Sequence, residues 1–184
     1  MNKKTVRMLA EGGICLAMSI ALSYLKIPVA ALGGSIDFVM IPLIIFACRW
    51  GMGWGIGLGF AFGTLKFFLA GGAAVNWQSM LLDYSVAYAF VGFAGLAKNW
   101  KWGLPIGALI GCVARFAIHF LSGVTIYAEY AESTADFFGA AIGTPGAVLY
   151  SLVYNAAYML PNTVIAIFVC ALLAVPLQKL KKPE

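Results

Sequence analysis

The chain has 184 residues, of which 62% are hydrophobic and only 10% charged, and its mean hydropathy is +0.92. That composition belongs to an integral membrane protein, with nothing left over for a soluble domain. The net charge of +5 comes from basic residues scattered in short loops, which argues against a nucleic-acid surface.

Apolar runs of roughly 17–25 residues predict an all-α bundle with six transmembrane spans, at 8–25, 36–50, 53–70, 79–97, 104–126 and 145–178. They form a single domain over residues 1–184 without internal repeats. The polar start Met1–Arg7 runs straight into span 1 without a cleavage site, so it reads as part of helix 1 and not as a removed signal. In span 1, Gly13, Ala17 and Ala21 recur every four residues and make a smooth strip on which another helix can lie closely. The strip serves either packing inside the bundle or docking of another membrane subunit.

Between spans 1 and 2 the chain runs from Ile27-Pro28 to Asp37, with Gly33-Gly34 as a break. Span 3 carries Gly51, Gly55, Gly59 and Gly63 four apart, with Gly53 and Gly57 on another face. This pattern matches neither GxGxxG nor a Walker loop and predicts close helix packing. Lys66, near the outer end of the span, is expected to snorkel to the interface. Asn76-Trp77-Gln78 then leads to Asp83-Tyr84 in span 4. Span 5 brings Arg115 and His119, four apart and hence on one helix face. A connection of about 18 residues, long for a bundle, holds Tyr127 and Tyr130, and span 6 carries Tyr150, Tyr154, Asn155 and Tyr158. Tyr154 and Tyr158 read as packing or interface aromatics. Cys15, Cys48, Cys112 and Cys170 lie singly in apolar runs, as small packing residues do.

The basic residues set the orientation. Lys3, Lys4 and Arg7, then Arg49, then Lys98 and Lys101, then Lys179, Lys181 and Lys182 all fall on one side of a six-span chain. The positive-inside rule makes that side, and both termini, cytoplasmic. Trp50, Trp54, Trp100 and Trp102 cluster at the same boundary as an aromatic belt.

Asp37, Asp83, Tyr84, Arg115, His119, Tyr127, Tyr150 and Asn155 all fall in the outer half of this arrangement. Ionisable groups at membrane depth face a polar cavity or a partner. Two acids, several aromatic faces and a set of donors suit a small, aromatic, positively charged solute. The plainer alternative is an Asp83–Arg115 structural ion pair, with His119 as a hydrogen-bonded packing residue. The chain has one histidine and no Ser-His-Asp, paired-His or HExxH arrangement, so no catalytic or metal set emerges and no cofactor is implied. It also lacks a nucleotide-binding loop, so an ATP-driven role would borrow its ATPase from another chain.

The stretches Asp37-Phe-Val-Met-Ile-Pro42, Leu81-Leu-Asp-Tyr-Ser-Val-Ala87, Arg115-Phe-Ala-Ile-His-Phe-Leu-Ser-Gly123 and Tyr150-Ser-Leu-Val-Tyr-Asn155 resemble the thiamine-specific S component of energy-coupling factor (ECF) transporters, the ThiT family. The resemblance covers nearly the whole chain. It implies a membrane subunit that captures thiamine from outside and works with a transmembrane coupling protein and two cytoplasmic ATPases. It also implies that Gly13, Ala17 and Ala21 contact the coupling protein. The family's ligand residues map to Asp37, Asp83, Tyr84, Arg115, His119, Tyr127, Tyr150 and Asn155. Two departures stand out: Gly33-Gly34-Ser35 occupies a place where the family has an aromatic, and Tyr127 stands where some members have Trp. Trp77 is therefore a further stacking candidate.

The roles implied are specific. Asp83 faces the aminopyrimidine or the thiazolium charge, and Arg115 holds Asp83 charged and in place. Asn155 and Tyr150 hydrogen-bond the pyrimidine edge, while His119 and Tyr127 stack on the rings. The loop 127–144 closes over the vitamin. Three other classes compete: an S component for another vitamin or a thiamine precursor, a stand-alone secondary transporter using Asp83–Arg115 as a proton relay, and a small membrane enzyme. Absence of inverted repeats weighs against the second, and absence of a nucleophile or metal set against the third.

Overall fold

The computed structural model describes residues 2–29, 34–72, 74–127 and 147–178. Among the described residues, six helical segments follow the predicted order: α1 (Lys3–Ser23), α2 (Met40–Trp50), α3 (Met52–Leu69), α4 (Trp77–Ala97), α5 (Gly103–Thr125) and α6 (Ala147–Gln178). Five are long and apolar enough to cross a membrane. The exception is α2, whose 11 residues extend about 16 Å against a hydrocarbon core of about 30 Å.

This corrects the second predicted span. Residues 36–50 do not form one helix: the helix begins only at Met40, and Ile36 ends a two-stranded antiparallel ribbon, β1 (Ile27–Val29) and β2 (Gly34–Ile36), in which Pro28 sits opposite Ser35. The physical reason lies around α2. Val39, Met40, Leu43, Ile44 and Ala47 are each no more than 2% exposed, so the helix is wrapped by protein on nearly every side. An apolar run buried inside a bundle needs neither the length of a span nor an amphipathic stripe.

The glycines of α3 explain how α3 and α4 meet. A Cβ placed on Gly59 or Gly63 would strike the backbone carbonyl of Tyr88 or Tyr84, and one on Gly92 would strike the backbone of Ile56. The two backbones therefore touch, and close packing is the main attraction between helices in lipid. Gly53 and Gly57, on the other face of α3, have open space around them. Gly59→Ala is thus expected to destabilise the fold by about 1–3 kcal/mol through overpacking, whereas Gly57→Ala is neutral or slightly stabilising. Thermal unfolding of both variants in detergent checks this, and equal effects would mean that the α3–α4 contact is looser than described.

The fourth helix is not uniform. An Asn76-capped α-helical turn at Trp77–Met80 gives way to a π-helical stretch at Leu81–Val86, a short α-helix at Ala87–Val91 and a 3₁₀ segment at Gly92–Ala97. Insertions of π-helical geometry are frequent at functional sites. This one contains Asp83 and Tyr84.

Candidate functional site at the outer ends of the helices

Two linked polar clusters lie at the end of the bundle away from Trp50, Trp100 and Trp102. The first is built around Asp83. His119 Nδ1 on α5 lies 3.2 Å from Asp83 Oδ1, and the Tyr127 hydroxyl, just beyond α5, bonds to Asp83 and Ser79. Burial pushes the Tyr127 phenol up to about 12, so it remains a donor at physiological pH. On α6, Asn155 donates to the backbone carbonyls of His119 (3.3 Å) and Ser151 (2.9 Å) and accepts from the Tyr158 hydroxyl at 2.9 Å. The rings of Tyr150, Tyr154 and Tyr158 then run along α6 at centroid spacings of 5.6 and 5.9 Å, and His119 meets Tyr158 edge-on at 6.4 Å.

Spacing accounts for that wall. Residues 150, 154 and 158 are each four apart and share one face of a helix. Close approach of α5 to α6 comes from Gly123, where a Cβ would collide with the Ser151 hydroxyl. Ser151 Oγ in turn donates to the Phe120 carbonyl at 2.9 Å. On β2, Gly34 lies flush against the Tyr158 ring, with no room for a Cβ.

The second cluster lies around Asp37, whose side chain is 3% exposed. Lys66 Nζ on α3 donates to Asp37 Oδ2 at 3.4 Å and to the Tyr88 hydroxyl at 2.6 Å. Arg115 Nη2 donates to the same hydroxyl at 3.1 Å, and its guanidinium carbon stands 4.3 Å from the centroid of the Tyr88 ring. Asn162 ties the cluster to α6: its Oδ1 accepts from the Asp37 backbone N–H at 2.9 Å and its Nδ2 donates to the Ser35 carbonyl at 2.8 Å. Among the described residues, two cations here share one carboxylate. Arg115 Nε and His119 Nε2 are buried without a hydrogen-bond partner.

Of the residues picked from the sequence, Asp83, His119, Tyr127, Tyr150 and Asn155 come together in the first cluster, and Asp37 and Arg115 meet in the second. Tyr84 follows Asp83 but turns toward α3, packing edge-on against Phe67 at 5.1 Å. Two expectations need correction. Arg115 does not hold Asp83; its bonds go to Tyr88 and to Met40 Sδ (3.1 Å), because it sits one turn deeper than His119 and Tyr88 offers its face and hydroxyl there. Lys66 does not snorkel outward, since its side chain is only 13% exposed and neutralises Asp37. Trp77 is 68% exposed and has no ring partner among the described residues. Tyr158 is buried and Tyr154 half-buried, as packing aromatics are, and both continue the aromatic wall. The closing loop proposed for residues 127–144 lies, beyond Tyr127, outside the described residues.

Tyr88, Asn162 and Ser151 were missed altogether. Their polar atoms sit in apolar runs; the packing of α4 against α3 and α5 reveals Tyr88, and the pairing of α6 with β2 and α5 reveals Asn162 and Ser151.

The family model described as "Thiamine transporter protein (Thia_YuaJ)" matches residues 9–182. The chain belongs to this thiamine transporter family. Among its relatives is the thiamine transporter ThiT of Bacillus subtilis, 30% identical over 165 residues, which cover 83% of this chain and 81% of that protein. ThiT of Lacticaseibacillus paracasei is 26% identical over 189 residues, covering 92% and 88%. The solved structure of ThiT from Listeria monocytogenes superposes with a TM-score of 0.78 at 23% identity over 97% of this chain and 98% of its own. That likeness shows a shared fold, and the family places this protein in the cell membrane as a multi-pass protein.

Proposed function

We propose that this chain is the substrate-binding subunit of an ECF transporter that captures thiamine from outside and passes it inward with a coupling protein and two cytoplasmic ATPases. The observation that carries the reading is the Asp83–His119–Tyr127 unit set against the Tyr150–Tyr154–Tyr158 wall in a chain of the thiamine transporter family. Thiamine is a cation made of two aromatic rings. A carboxylate answers the charge, tyrosine faces add cation–π attraction of about 2 kcal/mol when desolvated, and Asn155 supplies polar groups at the ring edge. Asp83 holds the imidazole by its Nδ1 edge, which leaves Nε2, otherwise unpartnered, to meet a donor on the ligand.

The lack of a nucleotide-binding loop supports binding without ATP and uptake that depends on partner ATPases. The positive-inside rule supports cytoplasmic termini, which puts the Asp83 end outside. Calorimetric titration of the purified protein tests specificity. Thiamine should bind without ATP, pyrithiamine should compete and riboflavin should not. Four of the five tryptophans lie at the far end of the bundle, so heat is a better signal than tryptophan quenching. Saturable thiamine uptake by cells that contain this chain but lack the ATPases would refute the S-component reading.

Gly13, Ala17 and Ala21 support the docking half of the proposal. All three are exposed, and a Cβ on Gly13 would meet nothing within 4 Å, so the strip does not serve packing within the described bundle. Ala17→Leu should leave calorimetric thiamine binding unchanged and abolish uptake, because a leucine holds a partner helix off by a side chain's width. Loss of binding and uptake together would exclude the strip as a docking face.

A further inference from the structure

At the opposite end of the bundle, a cavity of about 900 Å³ opens between α1, α2, the α4–α5 connection and the end of α6. Among the described residues, its polar rim carries Arg7, Arg49, Lys98 and Lys101, with Glu11 as the one carboxylate in the lining. Glu11 accepts from Arg7 Nε at 2.9 Å, from Arg49 Nε at 2.6 Å and from Trp50 Nε1 at 2.7 Å. One acid thereby fixes two guanidiniums in the cavity wall. The rest of the lining is largely apolar, with Ile45 and Phe46 about one turn inward from Arg49 along α2, and Leu104 at the start of α5.

The depth of the cavity is marked independently. Trp54, Trp100 and Trp102 are 56%, 54% and 55% exposed around this end, and exposed tryptophans of membrane proteins sit at headgroup level. A net positive rim at headgroup depth, continuous with an apolar interior, complements a molecule with a negative head and hydrocarbon tails. We infer that this cavity binds the headgroup of an anionic diacyl phospholipid, with its phosphate between Arg49, Lys98 and Lys101 and the first part of its chains along Ile45 and Leu104. Basic pockets between transmembrane helices are known to take such headgroups. The site is separate from the Asp83 and Asp37 clusters and does not depend on the identity of their ligand.

Native mass spectrometry of the purified protein titrated with phosphatidylglycerol or phosphatidylcholine tests the inference. One phosphatidylglycerol should bind at least ten-fold more tightly than phosphatidylcholine. Each basic residue near a membrane surface contributes roughly five-fold to anionic-lipid binding, so Lys98→Gln with Lys101→Gln should weaken phosphatidylglycerol by about 25-fold. Thiamine binding by the double variant should be unchanged, and it also reports that the variant is folded. Leu104→Trp, which fills the apolar part, should weaken the same lipid while leaving the lysines in place. Equal affinity for the two lipids, or an unaltered phosphatidylglycerol affinity in both variants, would overturn the inference. Full competition by inorganic phosphate or glycerol phosphate at millimolar concentration would overturn it too, by identifying a free anion as the occupant.

Discussion

Asp83→Asn should lower thiamine affinity by about two orders of magnitude or more while leaving the bundle folded. The variant keeps the size of the side chain, and the amide oxygen still accepts from His119 Nδ1, 3.2 Å away in the native protein, and from Tyr127. What it removes is the negative charge facing a cationic ligand. Truncating one partner of a buried, hydrogen-bonded charge pair at an interface costs about 2–5 kcal/mol, and each 1.4 kcal/mol is a factor of ten in Kd. Calorimetry gives the affinity, and thermal unfolding without ligand gives the control. A loss of less than about three-fold would place the binding site away from Asp83.

Asp37→Asn should have the opposite profile, with a large loss of stability and a smaller direct effect on affinity. Asp37 is not a water-accessible acid at the mouth of a pocket. It is the only carboxylate in its cluster among the described residues, serving Lys66 directly at 3.4 Å and lying near Arg115, which shares the Tyr88 hydroxyl with Lys66. Its removal leaves two cations uncompensated. Breaking a buried pair from one side costs about 3–5 kcal/mol, whereas replacing both members by apolar groups is often close to neutral. Adding Lys66→Met to Asp37→Asn should therefore recover much of the loss. The Asp37 backbone bond to Asn162 survives both changes, so β2 should stay attached to α6. Thermal unfolding of the two single variants and the double variant decides this, and additive losses would show that Lys66 and Asp37 do not act as a pair.

The contrast between the two acids shows where reading the sequence stops. Composition and apolar run length determined the membrane setting, the number and order of the helices, and the end of the bundle at which the charged and aromatic residues gather. Those properties are local: about 20 apolar residues must satisfy their backbone internally as a helix, and a side chain's place along that helix follows from counting. The four-residue spacing of the α3 glycines and of Gly13, Ala17 and Ala21 likewise told which residues share a face, and for α3 that face does meet another backbone.

Counting along one helix does not tell which turn of a neighbour lies at the same depth. Arg115 and His119 share a face of α5, so either was a fair partner for Asp83. The relative shift of α4 against α5 decided for His119, with Asp83 carried on a π-helical turn that the sequence does not announce. Lys66 shows the same limit. Near a helix end, an amine with an apolar stem reaches water unless something inside accepts it, and here Asp37 and Tyr88 do. Whether the strip on α1 faced inward or outward depended on which side α2 and α3 occupied. The short buried α2 and its β-ribbon were hidden for a related reason, since an apolar run looks alike in lipid and in a protein core. Local chemistry determined what each segment can be, and only the packing of helices at a particular depth decided which charges meet.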